Sequence, residues 1–232
     1  MDILLFQQID LQLLHFFNGS ESLFLDGFVQ TLTSGLTWIP FYFSLFYMVV
    51  KNNETMSQIA LFMGCVALCF ALSEGGADLL AKPLVGRLRP SYDPMVKYSL
   101  NVVNDIDGGN KFGFFSAHAS NTFALALFLC LTIRSRLLSI SLILWSLTNC
   151  WTRLYLGVHY PSDVLAGMAW GAVVAVMVYM LYRRTYRLTA PPTSYISSQY
   201  TSSGYCKTDA NMVVTVLLLT IMFAVYRSLL IS

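Results

Sequence analysis

The sequence predicts an all-α integral membrane protein, a helical bundle of about six transmembrane helices that follows an N-terminal interfacial helix. The composition is the first observation behind this class: 56% of the 232 residues are hydrophobic and only 11% are charged. Soluble domains carry about 25% charged residues. Several apolar runs also approach or exceed the roughly 20 residues that a helix needs to cross a bilayer. The net charge of +2 comes without a basic stripe, which argues against a nucleic-acid partner.

The apolar runs predict the position of each helix along the chain. Residues 3–17 mix apolar side chains with Gln, Asp and His, a pattern typical of a helix in the membrane interface. Polar residues separate the runs that follow, which cover residues 28–50, 56–80, 118–133, 137–151, 164–182 and 212–226. Pro40 predicts a kink in the first of these runs. We therefore predict a membrane core over 1–184, a flexible polar tail over 185–211 and a C-terminal apolar helix over 212–232 that spans the membrane or lies against the bundle.

Basic residues outside the polar motifs predict the orientation. Successive runs cross the membrane in alternating directions, which places all of these basic residues on one side. They are Lys51, Arg134, Arg136, Arg183, Arg184 and Arg187. An excess of Lys and Arg marks the cytoplasmic side. The loops after the second and fourth membrane-spanning runs then share the outer face.

Three polar motifs lie at the ends of the apolar runs, where a charge without a function is costly. They are Lys82–Pro90 (KPLVGRLRP), Ser116–His118 (SAH) and Arg153–Asp163 (RLYLGVHYPSD). Among them the motifs supply cations, imidazoles and a carboxylate, which are the groups needed to bind a phosphate and transfer it through a histidine. Their orientation predicts that all three meet on the outer face.

The third motif places a carboxylate beside an imidazole. Pro161 favours the first turn of a helix, so Asp163 lies in that turn and His159 just before it. A carboxylate in this position accepts the imidazole N–H and fixes the tautomer of a nucleophile. His118 is suited to give the proton that a departing oxygen needs.

The remaining groups suit the phosphate oxygens. Guanidinium and ammonium groups neutralise phosphoryl oxygens, and these cations are Lys82, Arg89 and Arg153. Ser116 and the backbone N–H groups at Ala117 and His118 begin the third transmembrane run and offer further donors. Arg87, inside the first motif, is not assigned a phosphate contact. Glu74 and Asp78 are predicted to be polar-face or ion-pair residues.

In this order, the patterns K-x6-R-P, S-x-H and R-x5-H-x3-D resemble the three signatures of the type 2 phosphatidic acid phosphatases. These are membrane lipid phosphatases that share an active site with vanadium haloperoxidases. The resemblance covers residues 80–165 closely. It implies that His159 forms a phosphohistidine, that Asp163 orients it and that His118 is the general acid. It also implies that phosphate is bound without a metal or other cofactor, by Lys82, Arg89, Ser116, Ala117 and Arg153.

Three positions depart from the family pattern. Phe115 and Ala117 stand where proline and glycine are usual, and Thr152 stands where serine is usual. Threonine keeps the hydroxyl. Alanine keeps the backbone N–H but disfavours a positive φ, so we expect it to affect the geometry of this loop.

The sequence thus predicts a metal-independent phosphatase acting on a lipid phosphate or diphosphate, in a bacterial cytoplasmic membrane with its active site facing the periplasm. Undecaprenyl diphosphate is the first substrate to consider. Lipid A and phosphatidylglycerol phosphate are the alternatives. A non-enzymatic lipid or phosphate binder, or a transporter-like protein, is the reading from a different class. A transporter would be expected to show internal repeats or broken spans, and neither is evident in the sequence.

Overall fold

The computed structural model describes residues 3–101, 111–189 and 198–231 of the chain. Within these ranges the regular secondary structure is helical, and β-pairing is limited to the isolated bridges Leu88–Phe112 and Tyr200–Cys206. The α-helices are α1 (Ile3–Asn18), α2 (Leu23–Thr33), α3 (Ile39–Lys51), α4 (Met56–Gly75), α5 (Lys82–Val85), α6 (Ala117–Ile133), α7 (Arg136–Tyr155), α8 (Pro161–Thr189) and α9 (Lys207–Ile231). The all-α prediction is confirmed for the part of the chain that is described.

Three helical segments in the described ranges are each long and apolar enough to cross a membrane: Met56–Val85, Pro161–Leu188 and Lys207–Ile231. The first joins α4 to α5 through the π-helical turn Gly76–Ala81. Helices α2 and α3 make a fourth candidate if the bent pair is one span. The predicted number of about six requires that α6, a shorter apolar helix, and α7 cross as well.

The bend in the first apolar run lies before Pro40 rather than at it. Helices α2 and α3 meet at 67°, and the break begins at Ser34, whose backbone is extended. Two side chains satisfy carbonyls at the end of α2: Thr37 Oγ1 donates to Thr31 O at 2.6 Å and Trp38 Nε1 donates to Leu32 O at 2.7 Å. Pro40 instead lies in the first turn of α3, where a missing N–H costs nothing. The predicted kink position was therefore wrong.

The predicted tail over 185–211 is too long at both ends. Helix α8 continues to Thr189, and α9 begins at Lys207 rather than at 212. Asp209, in the first turn of α9, accepts hydrogen bonds from Lys51 at 2.7 Å and from Asn52 at 2.9 Å. These bonds tie the start of α9 to the end of α3, a long-range contact that local composition does not reveal. Residues 190–197 of the predicted tail lie outside the described ranges.

Helix α6 is central to the bundle and packs against α4, α7 and α8. Glycines let α8 approach it closely. A Cβ atom on Gly167 would lie 2.5 Å from the carbonyl oxygen of Ser116, and one on Gly171 would lie 2.5 Å from that of Ser120. The backbones of α6 and α8 are therefore in direct contact along two turns.

We expect Gly171→Ala to destabilise the protein by about 1–3 kcal/mol, because the added methyl group must push α8 away from the α6 backbone. Thermal unfolding of the detergent-purified protein measures this change. Gly64→Ala is the matched control, since a Cβ at Gly64 meets nothing within 4 Å and alanine favours a helix. Equal unfolding temperatures for the two variants would contradict the close contact.

Candidate active site

A cavity of about 310 Å³ lies at the end of the bundle where α4, α5, α6, α7 and the α7–α8 connection meet. Residues from all three motifs line it, and they are Lys82, Arg89, Ala117, His118, Arg153 and His159. The two other predicted site residues, Ser116 and Asp163, are fully buried behind its wall. The motifs therefore meet at one end of the bundle, as the alternation of the apolar runs predicted.

His159 and Asp163 have the arrangement of an imidazole and its orienting carboxylate. His159 is 5% exposed, and its Nδ1 lies 3.8 Å from Oδ2 of Asp163, so the predicted hydrogen bond between them is not formed. The same oxygen accepts the backbone N–H of Tyr160 at 3.1 Å. Separations between catalytic partners are often long before substrate binds and shorten afterwards. Because Nδ1 is the nitrogen near the carboxylate, Nε2 is left for a ligand in the cavity.

The surroundings of His159 favour its neutral form. Burial lowers the pKa of its imidazole below the ordinary value, Asp163 opposes that shift, and Arg89 and Arg153 lower the pKa further. A neutral imidazole has the free lone pair that a nucleophile needs at neutral pH. A carboxylate beside such a ring can stabilise the positive charge that develops when an imidazole reacts.

His118 is the second residue of α6 and enters the cavity from another wall. Its Nε2 lies 3.4 Å from Oδ1 of Asn149 on α7. The Asn149 amide is held in turn, since its Nδ2 donates to Trp145 O at 2.8 Å. Asn149 is therefore placed to orient the His118 ring.

The three cations reach the cavity from different elements. Arg153, near the end of α7, donates to the hydroxyl of Thr33 at 3.0 Å and to that of Thr152 at 3.4 Å. These neutral partners hold the guanidinium without cancelling its charge. Lys82 is buried at the start of α5 and pairs with Asp78, which confirms that Asp78 is an ion-pair residue.

Arg89 is held by an isolated bridge between two loops. Its backbone N–H donates to Lys111 O at 2.9 Å, and its Nε donates to Phe112 O at 3.4 Å. Gly113 N–H in turn donates to Arg87 O at 2.8 Å. This pairing fixes the end of the first motif against the segment that leads into α6.

The start of α6 resolves the departure at Ala117. Ser116 is the N-cap, and its Oγ accepts from Ala119 N at 3.4 Å. Ala117 is the first helical residue, and among the described residues it is not one with a positive φ, so the site does not require glycine there. Ser116 also donates its backbone N–H to Asp163 O at 3.0 Å, which joins the second motif to the third. A direct phosphate contact by the Ser116 side chain stays a prediction.

Sequence reasoning missed several residues of the site. The cavity is also lined by Glu74, Asp78, Asn121 and Val158, and Asn121 Nδ2 donates to Glu74 Oε2 at 2.6 Å. Helical spacing contained a signal, because residues three or four apart share a helix face. Asn121 lies three residues after His118, and Asn149 lies four residues before Arg153.

Comparison with known proteins agrees with this geometry. The model of the PAP2 superfamily matches residues 59–187. A lipid A 4′-phosphatase of Bacteroides thetaiotaomicron is 40% identical over 183 residues, which are 78% of this chain and 79% of that protein. A lipid A 4′-phosphatase of Porphyromonas gingivalis is 31% identical over 171 residues, 71% of this chain and 69% of that protein. A lipid A 1-phosphatase of Rhizobium johnstonii is 30% identical over 143 residues, 60% of this chain and 56% of that protein. No solved structure matches the chain.

The family match covers more than half of the chain and contains all three motifs. It confirms the predicted family and the enzymatic reading, and it leaves the non-enzymatic binder without support. The chain belongs to the PAP2 superfamily, as an integral membrane phosphatase of lipids.

Proposed function

We propose that this protein is a lipid A phosphatase that removes the 4′-phosphate at the periplasmic face of a bacterial inner membrane. The observation that carries the proposal is the sequence identity of 40% and 31% to two lipid A 4′-phosphatases over most of the chain. It supports this alternative better than undecaprenyl diphosphate, the first substrate suggested by the sequence. Phosphatidylglycerol phosphate has no support from the relatives named above.

The proposed reaction has two steps. Nε2 of His159 attacks phosphorus, the bond between phosphorus and the sugar oxygen breaks, and His118 gives that oxygen its proton. Water then attacks the phosphohistidine and releases inorganic phosphate, with His118 accepting the proton of the water. Asp163 stabilises the imidazole in both steps.

Charge stabilisation supplies much of the remaining catalysis in phosphoryl transfer. Arg153 and Arg89 present planar donors to pairs of phosphoryl oxygens. Lys82 contributes its ammonium group from α5, and the backbone N–H groups at the start of α6 add donors beside Ala117.

An apolar groove near the cavity supports a substrate with acyl chains. It has a volume of about 400 Å³ and lies among α3, α4 and α6. On α4 its lining residue Phe70 lies one turn before Glu74, and on α6 Leu125 lies one turn after Asn121. A helical turn rises about 5.4 Å, so a phosphorylated headgroup in the cavity and an acyl chain of the same lipid in the groove are within reach of each other.

Basic residues at the opposite end of the bundle support the proposed orientation. Lys51 pairs with Asp209 at 2.7 Å, and Arg134 donates to the hydroxyl of Tyr179 at 2.8 Å. Positive residues favour the cytoplasmic side. The catalytic cavity then faces the periplasm, where the headgroup of lipid A is reached from the outer leaflet.

The proposal is tested by phosphate release from a panel of lipids: lipid A phosphorylated at positions 1 and 4′, undecaprenyl diphosphate and phosphatidylglycerol phosphate. We expect the detergent-purified protein to prefer lipid A, and mass spectrometry of the product to show the loss of the 4′-phosphate alone. His159→Ala protein, purified in parallel, controls for contaminating phosphatases. Release from undecaprenyl diphosphate without release from lipid A would overturn the proposed substrate.

A further inference from the structure

We propose that Asp10, on the N-terminal helix α1, is a positioning residue for catalysis that acts through Arg87 on Asp163. The inference rests on the proposed role of His159 and Asp163, and it extends the catalytic machinery to a helix outside residues 59–187, the range of the family match. The sequence predicted only an interfacial role for α1.

Asp10 is buried against the start of α8. The residue is 4% exposed, although α1 carries exposed apolar side chains on its other face. Its Oδ1 accepts the backbone N–H of Ser162 at 2.9 Å, and its Oδ2 accepts the Ser162 hydroxyl at 2.6 Å. Asp10 therefore accepts hydrogen bonds at the N-terminus of α8, the helix that carries Asp163, where backbone N–H groups lack partners within the helix. Its negative charge also suits the positive end of the helix dipole.

Arg87 connects the two carboxylates. Its NH2 donates to Oδ2 of Asp10 at 2.6 Å, and its NH1 donates to Oδ1 of Asp163 at 3.0 Å. The guanidinium carbon lies 3.9 Å from the centre of the Tyr160 ring, and NH1 also donates to the hydroxyl of Ser162 at 2.6 Å. The fork of Arg87 is thus fixed on both sides and cannot turn toward the cavity without breaking these bonds.

The two oxygens of Asp163 consequently have separate partners. Oδ1 accepts from Arg87, while Oδ2 accepts from the backbone of Tyr160 and faces His159. This division sets the plane of the carboxylate and thereby the direction in which it meets the imidazole. Without the Asp10 carboxylate, Arg87 keeps Asp163 as its one carboxylate partner of the two. The charge around Arg87 is then no longer balanced in the same way, and the plane of the Asp163 carboxylate changes.

This arrangement predicts an effect on chemistry rather than on substrate binding. Neither Asp10 nor Arg87 is among the residues that line the cavity, so neither is placed to contact a phosphate bound there. Small misplacements of a reacting group cost about a hundredfold in rate. We expect Asp10→Asn to lower kcat about tenfold to a hundredfold and to leave KM within about a factor of three of the wild-type value. Arg87→Lys, which keeps the charge but loses the fork, should behave in the same way.

Asp209→Asn is the matched control. Asp209 is a buried carboxylate, 5% exposed, and it pairs with a cation and an asparagine at the opposite end of the bundle. The Asp209→Asn variant should lose as much thermal stability as Asp10→Asn while keeping the kcat of the wild type. Ser162→Ala gives a milder test if Asp10→Asn does not fold, because it removes the hydroxyl that joins Asp10 to Arg87 without removing a charge. It should lower kcat several-fold with KM unchanged.

The decisive measurement is made in the background of Asp163→Asn. If Asp10 acts through Asp163, adding Asp10→Asn to Asp163→Asn causes no further loss of kcat. A full additional loss, or a kcat for Asp10→Asn equal to that of Asp209→Asn, would overturn the inference. The assay uses the lipid that the wild type hydrolyses fastest. A preference other than lipid A therefore counts against the proposed substrate alone, and unchanged kcat in the Asp10 variant counts against this inference alone.

Discussion

Alanine at position 159 is expected to lower kcat by about 10⁴-fold or more, because the protein then has no imidazole to accept the phosphoryl group. His118, the other imidazole that lines the cavity, enters from α6 with its Nε2 3.4 Å from Oδ1 of Asn149. The loss should be the same for every lipid in the substrate panel, since all of them use the same first step.

Rapid acid-free quenching of the wild type with a phosphorus-labelled lipid should trap a phosphoenzyme with the stability of a phosphohistidine, stable in alkali and labile in acid. His159→Ala should form none. His15→Ala is the matched control, because His15 lies on α1 with its Nε2 3.5 Å from the hydroxyl of Ser99 and does not line the cavity. Normal turnover by the His159 variant would disprove the assignment of the nucleophile.

Replacing His118 by alanine is expected to lower kcat by about 10²- to 10⁴-fold on a lipid substrate, the usual contribution of general acid–base catalysis. The sugar alkoxide is a poor leaving group and needs a proton as it departs. A nitrophenolate leaves without one. His118→Ala should therefore greatly lower the rate of phosphoenzyme formation from the lipid and only slightly lower the rate from p-nitrophenyl phosphate.

Arg153→Lys is the contrast variant for this test. Arg153 contacts the phosphoryl oxygens in the proposed mechanism, so its replacement should slow phosphoenzyme formation from both substrates by a similar factor. Burst measurements separate this step from hydrolysis of the phosphohistidine. If His118→Ala slows both substrates equally, His118 is a binding group and not the acid.

The sequence was sufficient for the parts of the site that depend on local spacing. Asp163 follows His159 by four residues, and Pro161 marks the start of α8 between them, so the proximity of the two side chains followed from helix geometry. Alternation of the apolar runs was likewise enough to bring His118 and His159 to the same end of the bundle. Both predictions needed only the order of the elements along the chain.

The missed features depend on contacts between distant segments. Arg87 and Asp10 are separated by 77 residues along the chain, and nothing near either residue shows that a guanidinium joins them. In the sequence, Asn149 is a polar residue in an apolar run with no visible role. Only the packing of α6 against α7 shows that it lies beside His118. The start of α9 was placed too late for the same reason, because its first turn is stabilised by Asn52 and Lys51.

The close backbone contact of α6 with α8 has a consequence for which lipids the enzyme accepts. Gly167 packs on the Ser116 carbonyl, and Ser116 donates its own N–H to the Asp163 carbonyl. These contacts join the segments that carry His118 and His159, the proposed proton donor and nucleophile, so we expect their spacing to stay the same whatever the size of the headgroup. We expect adaptation to a bulkier or smaller lipid to involve Glu74 and Lys82, which line the cavity from a helix interrupted by a π-helical turn. Related enzymes with different substrates should therefore differ around Glu74 and Lys82 and keep Gly167 and Gly171.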